Sequence, residues 1–208
     1  MSVCRTNLVR LLGFTLCVAL VGLLLGVIAK VWVDLSWWRV FRRCASIAAA
    51  LSLVFFLWRV HHQSIRSLGL GPWQPVGKRH FLRGVWLGCA TVAVILGIYL
   101  LAGACRIRIH PDTARVWRTL IAFVPAAVLV GGLEELVFRG YVLRQLLACS
   151  TWMAVVGSSA AYAVVHLRAI PVWPQSAFEL MGLFILGVTL ALGTLRTQQL
   201  YLAIGMHA

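Results

Sequence analysis

Apolar residues fall along this chain in long unbroken runs: Leu11–Ala29, Cys44–Trp58, Gly84–Cys105, Thr119–Leu133, Gln145–Val165 and Leu180–Leu195 carry no charged side chain. The charges lie almost entirely in the stretches between them. Runs that are apolar all round predict helices surrounded by hydrocarbon rather than helices with one wet face. A crossing needs about 20 residues, so the two fifteen-residue runs, Cys44–Trp58 and Thr119–Leu133, span only if flanking arginines extend their heads to the interface. A seventh run begins near Gln198 and reaches Ala208 after eleven residues, a rise of about 16 Å, so the chain is expected to end inside a membrane segment. The pattern therefore predicts an all-α polytopic transmembrane bundle with six spans plus a truncated seventh. No internal repeat, low-complexity tract or linker divides it, so residues 1–208 are expected to form a single integral-membrane domain.

Composition agrees. With 62% hydrophobic residues and a mean hydropathy of +0.93, the chain holds more apolar surface than one water-soluble core of this size hides. The net charge of +14 does not point to nucleic acid, because the 19 Lys and Arg residues form no basic domain or stripe. They read as headgroup contacts and topology signals. Counted over alternate connections they divide ten to nine, which leaves the orientation undecided by the excess of cytoplasmic basic residues. Trp32, Trp37, Trp38, Trp58, Trp86, Trp117 and Trp152 sit near run ends, as an interfacial aromatic belt does. Arg5 and Arg10 precede the first run and Val27-x-Ala29 resembles a cleavage site, but nineteen uncharged residues exceed the usual signal-peptide core of about 7 to 15, so a retained anchor is expected. Cys4, Cys17, Cys44, Cys89, Cys105 and Cys149 show neither CxxC nor metal-ligand spacing and read as small hydrophobes without a function.

The longest polar connection, Arg59 to Arg83, contains SLGLGPWQPVGK, whose glycines and prolines predict an ordered, turn-rich loop. In the connection 106–118, Pro111 and Asp112 are placed to open the next helix. Pro125 lies nine residues before Glu134; a proline inside a membrane helix frees a carbonyl and usually kinks it, which would open the following turn to water. Gly187 and Ala191, four apart, predict close helix packing.

Chemistry concentrates in GGLEELVFRG, residues 131–140. The chain has five acidic residues, and two stand side by side here, where a charge in lipid costs roughly 2.5 to 3.5 kcal/mol on insertion scales. On a helix Glu135 and Arg139 share a face, while Glu134 points about 100° away, beside Phe138. Arg139 thus neutralises one carboxylate and leaves the other for different work, although for these ten residues alone an ordinary ion pair at a helix end is the simpler reading. His61, His62, His80 and His110 fall in polar connections and are expected to be solvated. His166 and His207 instead close the apolar stretches SSAAYAVVH and LYLAIGMH. A spare carboxylate coupled to imidazole is a means of polarising water at neutral pH, which suits attack on a carbonyl.

EELVFR resembles the Glu-Glu-x-x-x-Arg signature of the CAAX protease and bacteriocin-processing (CPBP) family of glutamate-dependent intramembrane endopeptidases. YAVVH resembles its second motif, Phe-x-x-x-His, with Tyr162 in the Phe place, and LFILGVTLALGTLRTQQLYLAIGMHA resembles the segment leading into the third, a His followed four positions later by Asn or Asp. The resemblance covers about residues 119–208. It implies an intramembrane endopeptidase in which Glu134 activates water with the help of His166, Glu135 and Arg139 order the site, and His207 helps to stabilise the oxyanion. It implies membrane lipids and a peptide or protein substrate as partners, and a multi-pass protein of the bacterial inner membrane. The Asn or Asp would fall at position 211, beyond Ala208, so the third motif is incomplete and competence for catalysis is left open. Two alternatives stay open. One is a catalytically inactive membrane protein that binds a partner, as immunity-like members of the family would. The other is a zinc-dependent membrane protease using Glu134, His166 and His207 as ligands; lacking HExxH, the sequence gives that metal no motif, and the expectation is no cofactor. A proton-relaying transporter ranks behind these, because no repeated half with a matching broken helix is visible.

Overall fold

The computed structural model describes residues 3–108, 111–167 and 172–208. Among these the regular structure is all helical. Helix α1 covers Val3–Lys30, α2 Trp37–Phe55 with a π-helical continuation Phe56–Val60, α3 Pro75–Leu101, and α4 Thr113–Glu135. A second π-helical segment, Leu136–Val142, leads into α5, Leu143–Leu147; α6 follows at Thr151–Val165, α7 at Gln175–Thr197 and α8 at Tyr201–His207. Among the described residues five helices are long and apolar enough to cross a membrane: Val3–Lys30, Trp37–Val60, Pro75–Leu101, Thr113–Leu147 and Gln175–Thr197, with Thr151–Val165 a shorter apolar helix. The polytopic all-α bundle expected from the runs is what forms.

The helices begin and end where local chemistry dictates. Asp112 caps α4 by accepting from the Arg115 backbone N–H at 2.9 Å, and Pro75 stands in the first turn of α3, where its missing N–H costs nothing. The run Gln145–Val165 proves not to be one helix. It breaks at residues 148–150, where Ser150 accepts from the Met153 N–H at 3.0 Å and starts α6 afresh. Pro125 sits within α4 without interrupting it.

Pairs of helices pack through small residues, as expected where lipid tails remove any hydrophobic drive between helices. Helices α1 and α2 meet at Gly22, where an added Cβ would lie 3.4 Å from the Ala45 backbone. Helices α6 and α7 meet at Gly187, where it would lie 2.9 Å from the Ser159 side chain, and Ala191 one turn on is fully buried. Helices α3 and α8 approach so closely that a Cβ on Gly84 would run into the Leu202 carbonyl, and one on Gly205 into that of Phe81.

A core of Phe14, Leu53, Phe56, Leu57, Tyr141, Leu143, Leu146, Ala154 and Ala191 joins α1, α2, the second π segment and α5 to α7. Leucine, isoleucine and tryptophan side chains such as Leu20, Ile98 and Trp152 stand exposed on the outside, the side that faces lipid in a membrane.

One end of the bundle is sewn together. Cys4 and Cys149 form a disulfide that ties the start of α1 to the turn before α6. The loop after α2 is pinned there too, as the Leu200 N–H donates to the Gly69 carbonyl at 3.1 Å, Arg144 donates to the Ser67 carbonyl, and the Tyr201 hydroxyl donates to the Gly71 carbonyl. Gly69 takes φ +99°, which favours glycine. His61 and His80, expected to be solvated, are half-buried here. His61 Nε2 lies 3.2 Å from the Tyr141 hydroxyl, and His80 Nδ1 lies 3.2 Å from Gln199 Oε1; long-range contacts, invisible in the local pattern, draw both inward. His62 is exposed, and His110 lies outside the described residues.

Candidate active site

Glu134 and Glu135 are the last two residues of α4, and the wider π-helical turn that follows carries Arg139. Such segments are rare and concentrate at functional sites. Arg139 and Glu135 are both fully buried and paired, Arg139 Nη1 donating to Glu135 Oε1 at 2.9 Å. Arg139 Nη2 also donates to the Gly187 carbonyl on α7 at 3.3 Å, and the guanidinium carbon lies 4.5 Å from the centre of the Tyr162 ring on α6. A buried charge pair is tolerable only when its geometry and remaining hydrogen bonds offset the loss of water. Here a carbonyl and an aromatic face supply part of that compensation.

Helix α8 brings His207 to the same place. Its Nδ1 lies 2.8 Å from Glu135 Oε1, so one carboxylate oxygen receives both Arg139 and His207. Gly131 allows the approach, since a Cβ there would already lie 3.5 Å from His207 Cγ. Helix α6 supplies His166 just past its last turn. His166 Nδ1 donates to the Tyr162 carbonyl at 2.8 Å, which fixes the ring and turns Nε2 toward the glutamates.

Glu134 is the carboxylate without an arginine. Its side chain keeps 23% of its surface exposed, against none for Glu135. His166 Nε2 lies 3.3 Å from Glu134 Oε2 and His207 Nε2 lies 3.6 Å from the same oxygen. Both imidazoles therefore present Nε2 to one carboxylate oxygen, each with Nδ1 occupied by an oxygen acceptor. All five residues singled out from the sequence, Glu134, Glu135, Arg139, His166 and His207, are brought together from α4, the π segment, α6 and α8.

Among the described residues no group of three or more His, Cys, Asp and Glu is arranged to hold a metal ion. Reading the sequence alone did not single out the Gly187 carbonyl, or the Tyr162 hydroxyl, which lies 3.4 Å from His207 Nε2. The tyrosine in place of the motif's Phe was the available signal for the second.

Residues 116–208, from early α4 to Ala208, match the family model described as type II CAAX prenyl endopeptidase, Rce1-like. This segment contains the whole constellation, and over it the resemblance drawn from EELVFR, YAVVH and the run into His207 is borne out at the level of the family: the match supports a membrane protease of the CAAX endopeptidase kind. The match covers 93 of the 208 residues and is to a family of the kind that the resemblance implied. No curated protein and no solved structure matches the chain.

Proposed function

We propose that the chain is an intramembrane endopeptidase that hydrolyses a peptide bond with water activated by Glu134 and His166. The observation that carries this is the pair of imidazole nitrogens facing Glu134 Oε2. Because the His166 Nδ1–H is given to the Tyr162 carbonyl, a neutral His166 has a bare Nε2, and a bare Nε2 beside a carboxylate oxygen calls for one proton held between the two. A carboxylate and an imidazole sharing a proton can take another from water and return one to a leaving group, the requirement for general acid–base catalysis.

The steps follow from that pair. Water placed against Glu134 loses a proton to the Glu134–His166 pair as its oxygen bonds to the scissile carbonyl carbon, and the carbonyl π electrons move onto oxygen. On collapse these electrons return, the C–N bond breaks, and the leaving amine takes a proton from the pair. Glu135 and Arg139 keep His207 beside Glu134, on the side where the charge on the carbonyl oxygen would be met. The reading needs no cofactor. Its substrate class, a peptide near a lipidated carboxy terminus, is supported by the CAAX endopeptidase segment alone. The chain is taken as one domain in contact with membrane lipids and placed in the bacterial inner membrane.

The test is Glu134→Gln in protein purified in detergent and assayed on a CAAX-type peptide. Cleavage is expected to fall at least 10²-fold, the scale of a lost general base, with the thermal midpoint unchanged because Glu134 stands outside the fully buried Glu135–Arg139 pair and glutamine keeps its shape. Cleavage at the wild-type rate would refute the reading. A partner-binding protein would keep its cellular phenotype in this variant.

A further inference from the structure

Tyr162 touches more of the site than any role as an aromatic spacer requires. The ring is 2% exposed, lies edge-on to Phe138 at 5.4 Å and tilted on His166 at 4.4 Å, and supports the Arg139 guanidinium at 4.5 Å. Its carbonyl holds His166 Nδ1. A phenylalanine would make every one of these contacts. The hydroxyl makes a further one, 3.4 Å from His207 Nε2, and it stands inside the site rather than toward lipid.

The hydrogen inventory around His207 shows what that hydroxyl does. The groups facing the ring are Glu135 at Nδ1, and Glu134 and Tyr162 at Nε2. A carboxylate only accepts, so Nδ1 carries the proton donated to Glu135 Oε1. In the neutral ring Nε2 is then an acceptor, and Glu134 Oε2, 3.6 Å from it, has no hydrogen for it while ionised. The Tyr162 O–H is the donor that remains. We propose that this hydroxyl is the hydrogen-bond donor that meets the developing oxyanion: it rests on His207 Nε2 and turns to the carbonyl oxygen of the substrate as charge builds there.

This deepens the hydrolytic reading and rests on it for its kinetic consequence. No bond to Tyr162 is made or broken, and the phenol keeps its proton throughout. A preorganised donor aimed at a developing oxyanion is commonly among the largest single contributions to catalysis. His207 acts here through the hydroxyl it holds, as well as through its own place beside Glu134.

The test is Tyr162→Phe, which keeps the ring and removes only the hydroxyl. Two readouts are taken on the full chain in detergent: cleavage of a CAAX-type peptide, and the ¹⁵N spectrum of histidine-labelled protein, with the His207 signals assigned by their loss in His207→Gln. The expected result is a kcat lower by about 10²-fold, the cost of one oxyanion donor, with KM and the thermal midpoint unchanged, and a His207 Nε2 resonance displaced toward that of an unbonded acceptor nitrogen. A kcat within threefold of wild type, or an unmoved Nε2 resonance, overturns the proposal. If the resonance moves as expected but the wild-type protein cleaves no peptide, the hold of Tyr162 on His207 stands and the protease reading is what has failed.

Discussion

His207 Nδ1 stands 2.8 Å from Oε1 of Glu135, a residue 72 positions earlier, and shares that oxygen with Arg139 Nη1 at 2.9 Å. The last helix is thereby locked to the end of α4 through a fully buried carboxylate. Removing one member of a buried charge pair leaves the other uncompensated, at about 3 to 5 kcal/mol. Arg139→Ala is therefore expected to lower the stability of the folded protein by that order, read as a drop in the midpoint of thermal unfolding in detergent. Adding Glu135→Gln is expected to recover part of it, because the orphaned charge is then gone. A single variant as stable as wild type would contradict the ordering role given to this pair.

The disulfide between Cys4 and Cys149 carries information on orientation that the ten-to-nine division of basic residues does not. Disulfides persist where the surroundings are oxidising. The end of the bundle that holds the amino terminus is therefore expected to face away from the cytoplasm, with His166 toward the opposite end, a distance of about 22 Å along the fifteen residues of α6. Cys4 and Cys149 are expected to react with a membrane-impermeant maleimide added to the outside of intact cells only after reduction, and Cys4→Ser to expose Cys149 without reduction. Labelling that requires breaking the membrane would reverse this orientation.

His61, at the same end and just past the membrane-spanning part of α2, gives a pH dependence with a definite sign. Burial, and secondarily the positive charge of Arg10, hold its imidazole below the usual value of 6.5. The folded protein therefore binds fewer protons at this residue than the unfolded chain between the lowered value and 6.5. Its contribution to stability is complete above 6.5 and fades as the pH falls through the lowered value. The thermal midpoint is expected to rise from pH 5 to 7.5, and to rise less steeply in His61→Gln, in which that group no longer titrates. Equal slopes in the two proteins would show that His61 is not held in the neutral form.

Much of the fold was legible because the apolar runs are a one-dimensional property: Leu11–Ala29 and Leu180–Leu195 lie wholly within α1 and α7, and Asp112 opens α4 as read. The break within Gln145–Val165 was not, because Ser150 is an unremarkable residue until its side chain is seen to cap Met153. The disulfide and the contacts of His61 with Tyr141 and His80 with Gln199 join residues 80 to 145 positions apart, which neither periodicity nor spacing encodes. The site stood out for the opposite reason. Charge and imidazole are costly at the ends of apolar stretches, so Glu134, Glu135, Arg139, His166 and His207 were conspicuous by chemistry alone, whereas the Tyr162 hydroxyl was masked by an aromatic ring that suffices to explain the residue.

The central claim is that Glu134 and His166 work as one proton-handling unit, and the most direct measurement is the peptide-cleavage rate of Glu134→Gln, His166→Ala and the double variant under one set of conditions. Residues that act as a unit are strongly non-additive, so the double variant is expected to cleave about as slowly as the slower single variant. A double variant slowed by the product of the two single effects, or any of the three cleaving at the wild-type rate, would contradict the account.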